Sequence, residues 1–127
     1  MIALDTTFLL DYLDGVDATA VFLEEHAEKP IFGPTLALFE TYRGAARVAG
    51  AAGVERVVSD LDWVEPLPLD AAAAQEAAEI EASLLESGQP INLGDVLIAG
   101  VCRRHGARLV TRDGDFEAVA GLEIEAY

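Results

Sequence analysis

Short apolar runs, each set off from the next by one or more helical stretches, constrain this chain more than any other feature. Ile2-Ala3-Leu4 ends at Asp5-Thr6, which reads as a buried first strand followed by a helix cap and the helical run Phe8 to Leu13. Gly15 breaks that helix, and Asp17 opens a second whose Val21, Phe22 and Leu23 form an apolar side before Pro30. Ile31-Phe32 begins a short strand. Thr35 then caps a helix reaching about Gly50, with Leu36, Phe39, Tyr42 and Val48 as its expected apolar residues. Val54, Val57, Val58 and Leu61 recur at three and four and predict another helix. Trp63 to Leu69 carries Pro66 and Pro68, so a strand there belongs at a sheet edge.

Asp70 caps the Ala-rich helix Ala71 to Glu86, closed by Ser87-Gly88. Asn92 stands three before Asp95, a capping-box spacing, and its helix continues through Val96, Ile98, Val101 and Cys102 to Gly106. Arg108 to Thr111 and Leu122 to Glu125 read as strands, with a short turn at Asp115 to Ala120 anchored by Phe116 between them. Helices inserted between strands favour a central, mainly parallel sheet in a three-layer α/β/α arrangement. Ligands bind such folds beyond the carboxyl ends of the strands.

A chain of 127 residues with 52% hydrophobic content suits one α/β domain spanning 1–127. Its 23 acidic against 8 basic residues give a formal charge of −15, which excludes a nucleic-acid binder that relies on a basic face. An enzyme whose cations and a few local arginines hold a phosphate is still compatible with that charge. The general acidity also fits adaptation to a salty cytoplasm, where screening softens repulsion between carboxylates. Cys102 is the sole cysteine, so no internal disulfide or cysteine metal cluster is expected. No secretory signal is visible and no apolar run approaches the roughly 18 residues of a membrane span, so a cytoplasmic protein is expected.

Four acids stand where such a fold gathers them. Asp5 follows the first strand, Asp113 follows the penultimate one, Asp95 lies in the first turn of the helix feeding it, and Glu40 sits in a helix between Leu36 and Gly44. Each has a plainer reading: Asp5 and Asp95 as helix caps, Glu40 as a partner of Arg43 or Arg47, Asp113 as a turn residue before Gly114. Brought together, they need protons or cations, because crowded carboxylates raise one another's pKa. Mg²⁺ or Mn²⁺ suits oxygen ligands, whereas His26 and His105 have no partner spacing for zinc. Such ions activate water against a phosphodiester. A phosphate-receiving signalling domain would need a lysine near a late strand, and the sole lysine is Lys29; no glycine-rich nucleotide motif occurs either.

Leu4-Asp5-Thr6-Thr7-Phe8-Leu9-Leu10, Gly94-Asp95-Val96-Leu97-Ile98-Ala99 and Leu109-Val110-Thr111-Arg112-Asp113-Gly114-Asp115-Phe116 together resemble the PIN domain family, especially its small VapC-type toxins. The resemblance covers essentially the whole chain. It implies Asp5, Glu40, Asp95 and Asp113 as the catalytic acids, with Asp5, Asp95 and Asp113 on the metal. Thr6 and Thr111 match the family's auxiliary hydroxyl residues. Many relatives place asparagine at the position of Asp113 and an acid shortly after it, so Asp113 and Asp115 both stand as candidates for the fourth acid, Asp113 preferred.

Arg43 and Arg112 are the candidates for RNA contact, since a planar guanidinium grips phosphate through two donors. The resemblance further implies a Mg²⁺- or Mn²⁺-dependent endoribonuclease, the toxin of a type II VapBC pair, cutting structured RNA such as tRNA or rRNA. An antitoxin inhibitor and a homodimer are implied as partners, with Leu9, Leu10, Leu13 or the Val21 to Leu23 segment at the dimer contact. The other readings are an RNA-processing or quality-control nuclease without an antitoxin, and a catalytically silent domain acting through protein contacts.

Overall fold

The structure is a computed structural model that describes residues 1–127. Five strands, β1 (Ile2–Leu4), β2 (Ile31–Pro34), β3 (Glu65–Leu67), β4 (Arg108–Val110) and β5 (Ile124–Glu125), form one sheet in the order β3-β2-β1-β4-β5. Every pairing is parallel. Helices α1 (Thr6–Leu13), α2 (Asp17–Glu25), α3 (Thr35–Asp60), α4 (Ala71–Glu86) and α5 (Leu93–His105) occupy the connections. Ile2, Ala3 and Leu4 of the central strand are all buried, so both faces of the sheet are covered there. Pro66 lies in edge strand β3, where its missing N–H removes no bond from the sheet interior.

The strand order places the site. From β1 the chain moves outward to β2 and β3, then returns to lay β4 on the other side of β1. That reversal opens a crevice beyond the carboxyl ends of β1 and β4. Leu4 pairs with Val110, so the next residues on each strand, Asp5 and Thr111, leave the sheet side by side.

Two local features shape the helical layers. Helix α3 contains a break at Gly50, whose φ of 61° and ψ of −148° separate the two helical segments expected on either side of it. Between α4 and α5, a Cβ at Gly100 would lie 2.6 Å from the Ala77 Cβ and 2.9 Å from the Ala73 carbonyl oxygen, so the two helices approach at a spacing that only glycine permits there. Phe8, Phe116, Leu4, Leu9, Ile80 and Ile98 are fully buried in the core, Phe116 as expected.

The expected apolar face of α3 holds for Leu36 and Tyr42, which pack half-buried against the core, and requires correction at Phe39 and Val48. Ala37, Leu38 and Thr41 turn inward, while Phe39 is 53% and Val48 is 89% exposed. The packing of α1 and the sheet thus rotates the buried face toward Ala37, Leu38 and Thr41 and leaves Phe39 and Val48 outside it. Leu9 also lies wholly in the core, which leaves Leu10 and Val21 as the exposed members of the segments expected at a dimer contact.

Candidate active site

Asp5 ends β1 and caps α1, with extended backbone at φ −83° and ψ 178°. Its Oδ1 accepts from the Phe8 amide at 3.0 Å and the Thr7 hydroxyl at 2.7 Å, and its Oδ2 accepts from the Thr111 hydroxyl at 2.5 Å. The side chain is therefore a cap, as the plainer reading has it, and it is also a buried carboxylate at the carboxyl end of the central strand. At 2% exposure, burial raises its pKa; the three hydrogen bonds oppose that rise and the charge of Asp113 adds to it. Thr111 also accepts from the Asp113 amide at 2.9 Å, so one buried hydroxyl ties the first acid to the loop carrying the fourth.

Asp95 sits in the first turn of α5. Its amide donates to the Asn92 Oδ1 at 3.0 Å, and the Asn92 side-chain amide returns a bond of 2.9 Å to its Oδ2. The spacing is that of a capping box, with the return bond coming from the cap's side chain. Burial, followed by the charges of Asp113, Glu40, Asp5 and Asp115, pushes the Asp95 carboxyl up to about 6. Asp113 caps a short 3₁₀ helix, Gly114–Ala118, by accepting from the Asp115 amide at 2.9 Å. Carboxylate oxygens of Asp95, Asp113 and Asp115 lie within 4.8 Å of one another.

Glu40 enters from α3. Its Oε1 accepts from the Thr6 hydroxyl at 2.6 Å, so Thr6 holds the second acid and Thr7 the first. Its Oε2 rests against Gly94, where a Cβ would approach within 2.9 Å. Gly44, one turn along α3, faces open space. Glu40 pairs with neither Arg43 nor Arg47, and the ion pairs of the molecule involve none of the five acids.

The donor set is thus entirely carboxylate oxygen, with the pKa values of Asp5 and Asp95 raised first by burial and then by neighbouring charge, and unneutralised by any arginine. A hard divalent cation fits this chemistry. The histidines stand apart from it: His26 bonds the Phe22 carbonyl oxygen and stacks on the Phe22 ring. Cys102 is buried, its thiol pushed up to about 12.

The two arginines singled out in the sequence take different positions. Arg43 is exposed and lies over the Phe39 ring at 5.4 Å, one turn from Glu40. Arg112 forms a paired contact with Asp11 of α1, Nε to Oδ2 at 2.7 Å and Nη2 to Oδ1 at 3.2 Å. The Tyr127 hydroxyl donates to the same Oδ2 at 2.6 Å. Sequence reasoning missed Thr7, Gly94, Asp11 and Tyr127, whereas the Asn92 to Asp95 spacing was read as a cap. An acid at position 11, set between Leu10 and Tyr12 in an otherwise apolar helical run, was the one local sign of an unseen partner.

Comparison with known proteins agrees with this architecture. The PIN domain family matches residues 2–122. A VapC ribonuclease of Mycobacterium bovis is 30% identical over 128 aligned positions covering 96% of this chain and 93% of its own. A tRNA(fMet)-specific endonuclease VapC of Shigella flexneri is 40% identical over 75 positions, 58% of this chain and 54% of that relative, so the match spans about half its length. Among solved structures, VapBC2 of Rickettsia felis bound to a promoter DNA fragment superposes with a TM-score of 0.91 at 23% identity, covering 100% of this chain and 99% of that one. With parallel β1 and β4 setting Asp5 beside Thr111, the family match over residues 2–122 and the Mycobacterium bovis relative matched along nearly its full length, the chain belongs to the PIN domain family and, within it, to the VapC ribonucleases.

Proposed function

We propose that residues 1–127 act as one PIN-type unit that hydrolyses RNA phosphodiester bonds with Mg²⁺ or Mn²⁺, as the toxin of a VapBC-type pair. The observation that carries this reading is the convergence of Asp95, Asp113 and Asp115 oxygens within 4.8 Å, beside a buried Asp5 whose two oxygens are held by three donors. Asp95 and Asp113 would hold the ion, with Asp115 completing the set and Asp5 behind it. When bound, the cation supplies charge neutralisation and activation of water for attack on phosphorus.

The chain's own residues supply the rest. Thr111 and Thr7 orient Asp5, and Thr6 directs Glu40 across Gly94 toward Asp95. Burial and the neighbouring acids push the Asp95 carboxyl up to about 6 without a cation, and a bound divalent ion would relieve that crowding and keep it ionised as a ligand. Arg43 and the free edge of Arg112 would meet the RNA backbone, a small basic contribution in a chain of charge −15, so binding is selective rather than general.

Structured RNA of the tRNA or rRNA class is the proposed substrate, as the name of the Shigella relative suggests. The solved VapBC complexes indicate the partner class: an antitoxin, which would place a basic residue against the acidic crevice. Leu10 and Val21 remain exposed for a homodimer contact. No helix is long and apolar enough to cross a membrane, and the proposed site of action is the cytoplasm, where the RNA is.

RNA 5′ ends mapped after expressing the parent and Asp5→Asn side by side test the reading. Discrete ends seen with the parent alone, and lost on chelation, are expected. Identical end maps from the two proteins would overturn it.

A further inference from the structure

We infer that Asp11, acting through Arg112 and Tyr127, is a positioning residue for the acidic site; the inference rests on the metal-binding reading above. Asp11 is 8% exposed in a chain already burdened with negative charge, yet it lies on α1 and outside the group of close carboxylates. Burying a carboxylate is unfavourable unless it is paired and hydrogen-bonded, and here it is both. Its Oδ1 accepts from Arg112, and its Oδ2 accepts from Arg112 and from Tyr127.

Each of those two partners leads to one side of Asp5. Arg112 stands in the chain between Thr111, which donates to Asp5, and Asp113, whose amide donates back to Thr111. A guanidinium held on two oxygens therefore fixes the backbone that carries both groups. Tyr127 packs edge-on against Phe8 with ring centroids 4.7 Å apart, and the Phe8 amide donates to Asp5. Its phenol also lies near Thr7, the other hydroxyl on Asp5. One carboxylate of α1 thus clamps the β4 loop and the start of its own helix around the first acid. Partners that orient metal ligands in this way commonly change metal affinity by about 10- to 100-fold when removed.

Three variants separate positioning from plain charge and from stability. Asp11→Asn loses the ion pair, Tyr127→Phe loses one hydroxyl with no change of charge, and Arg112→Gln removes a positive charge. Electrostatics alone predicts that Arg112→Gln binds a cation more tightly; positioning predicts weaker binding. Mn²⁺ titration by calorimetry on folded protein is expected to show about tenfold weaker binding for Asp11→Asn and Arg112→Gln and a smaller weakening for Tyr127→Phe. Amide exchange at Asp113, measured in chelator, is expected to speed up in all three. Tighter Mn²⁺ binding by Arg112→Gln, or unchanged Asp113 exchange in folded variants, overturns the inference. Should the parent bind no Mn²⁺ while Asp113 exchange still responds, the positioning role stands and the metal reading fails. Tyr127→Phe keeps the test open if Asp11→Asn does not fold.

Discussion

Replacing Asp95 with asparagine should stabilise the metal-free protein while abolishing its response to metal. The rise of this carboxyl from 3.8 to about 6 corresponds to about 3 kcal/mol against the ionised form if unscreened. Asp95 is half-buried, and solvent screening brings the figure to about 1–2 kcal/mol. Losing an anion from the first turn of α5 costs about 0.3–1 kcal/mol, since that charge is stabilised by the helix dipole. Asparagine retains an oxygen to accept the Asn92 amide bond. The net gain is about 1 kcal/mol at pH 7.5, or about 3–5 °C in Tm for a chain of this length.

The pH dependence has a definite sign. The folded protein holds the Asp95 proton more tightly than the unfolded chain does, so the stability linked to it is full below pH 3.8 and lost as pH rises through about 6. The advantage of the variant must therefore be complete above pH 6 and shrink by about half at pH 5. Calorimetric melts in chelator from pH 5 to 8 measure this. Saturating Mn²⁺ at about 100 times Kd adds about 2.7 kcal/mol to the parent, which reverses the order of the two proteins. A variant less stable than the parent at pH 7.5 in chelator, or a gap that does not narrow toward pH 5, would refute the electrostatic account.

Gly100→Ala forces a methyl into the Ala77 Cβ at 2.6 Å and the backbone of α4, so a loss of about 1–3 kcal/mol is expected in denaturant unfolding. Gly94→Ala meets the flexible end of Glu40 instead; thermal melts should show a stable fold, while RNA cleavage falls about tenfold as that carboxylate is displaced (a loss equal to about 1.4 kcal/mol of transition-state stabilisation). Thr111→Val takes one donor from a buried carboxylate and should cost about 1–3 kcal/mol at pH 7.5. Because it raises the Asp5 pKa further, that cost shrinks on acidification, which melts across the same pH range would show.

Features that depend on neighbours along the chain are written in the order of residue types. Asp70 capping α4, the Asn92 and Asp95 bonds at the start of α5 and the confinement of Pro66 to an edge all follow from hydrogen bonds spanning three residues or from a missing N–H, and each was legible in the order of residue types. The convergence of Asp5, Asp95 and Asp113 was legible too, because a parallel sheet with helical crossovers sends strand ends to one side. Partners far apart in the chain come from packing alone. Thr6 meets Glu40 across 34 positions and Tyr127 meets Asp11 across 116, pairings that no local period encodes. Packing likewise turned Phe39 and Val48 outward, engaged Arg112 with Asp11 and made Gly94, rather than Gly44, the residue against which Glu40 fits. Periodicity defines a helix face, but which surface covers that face is set by the packing of elements distant in sequence.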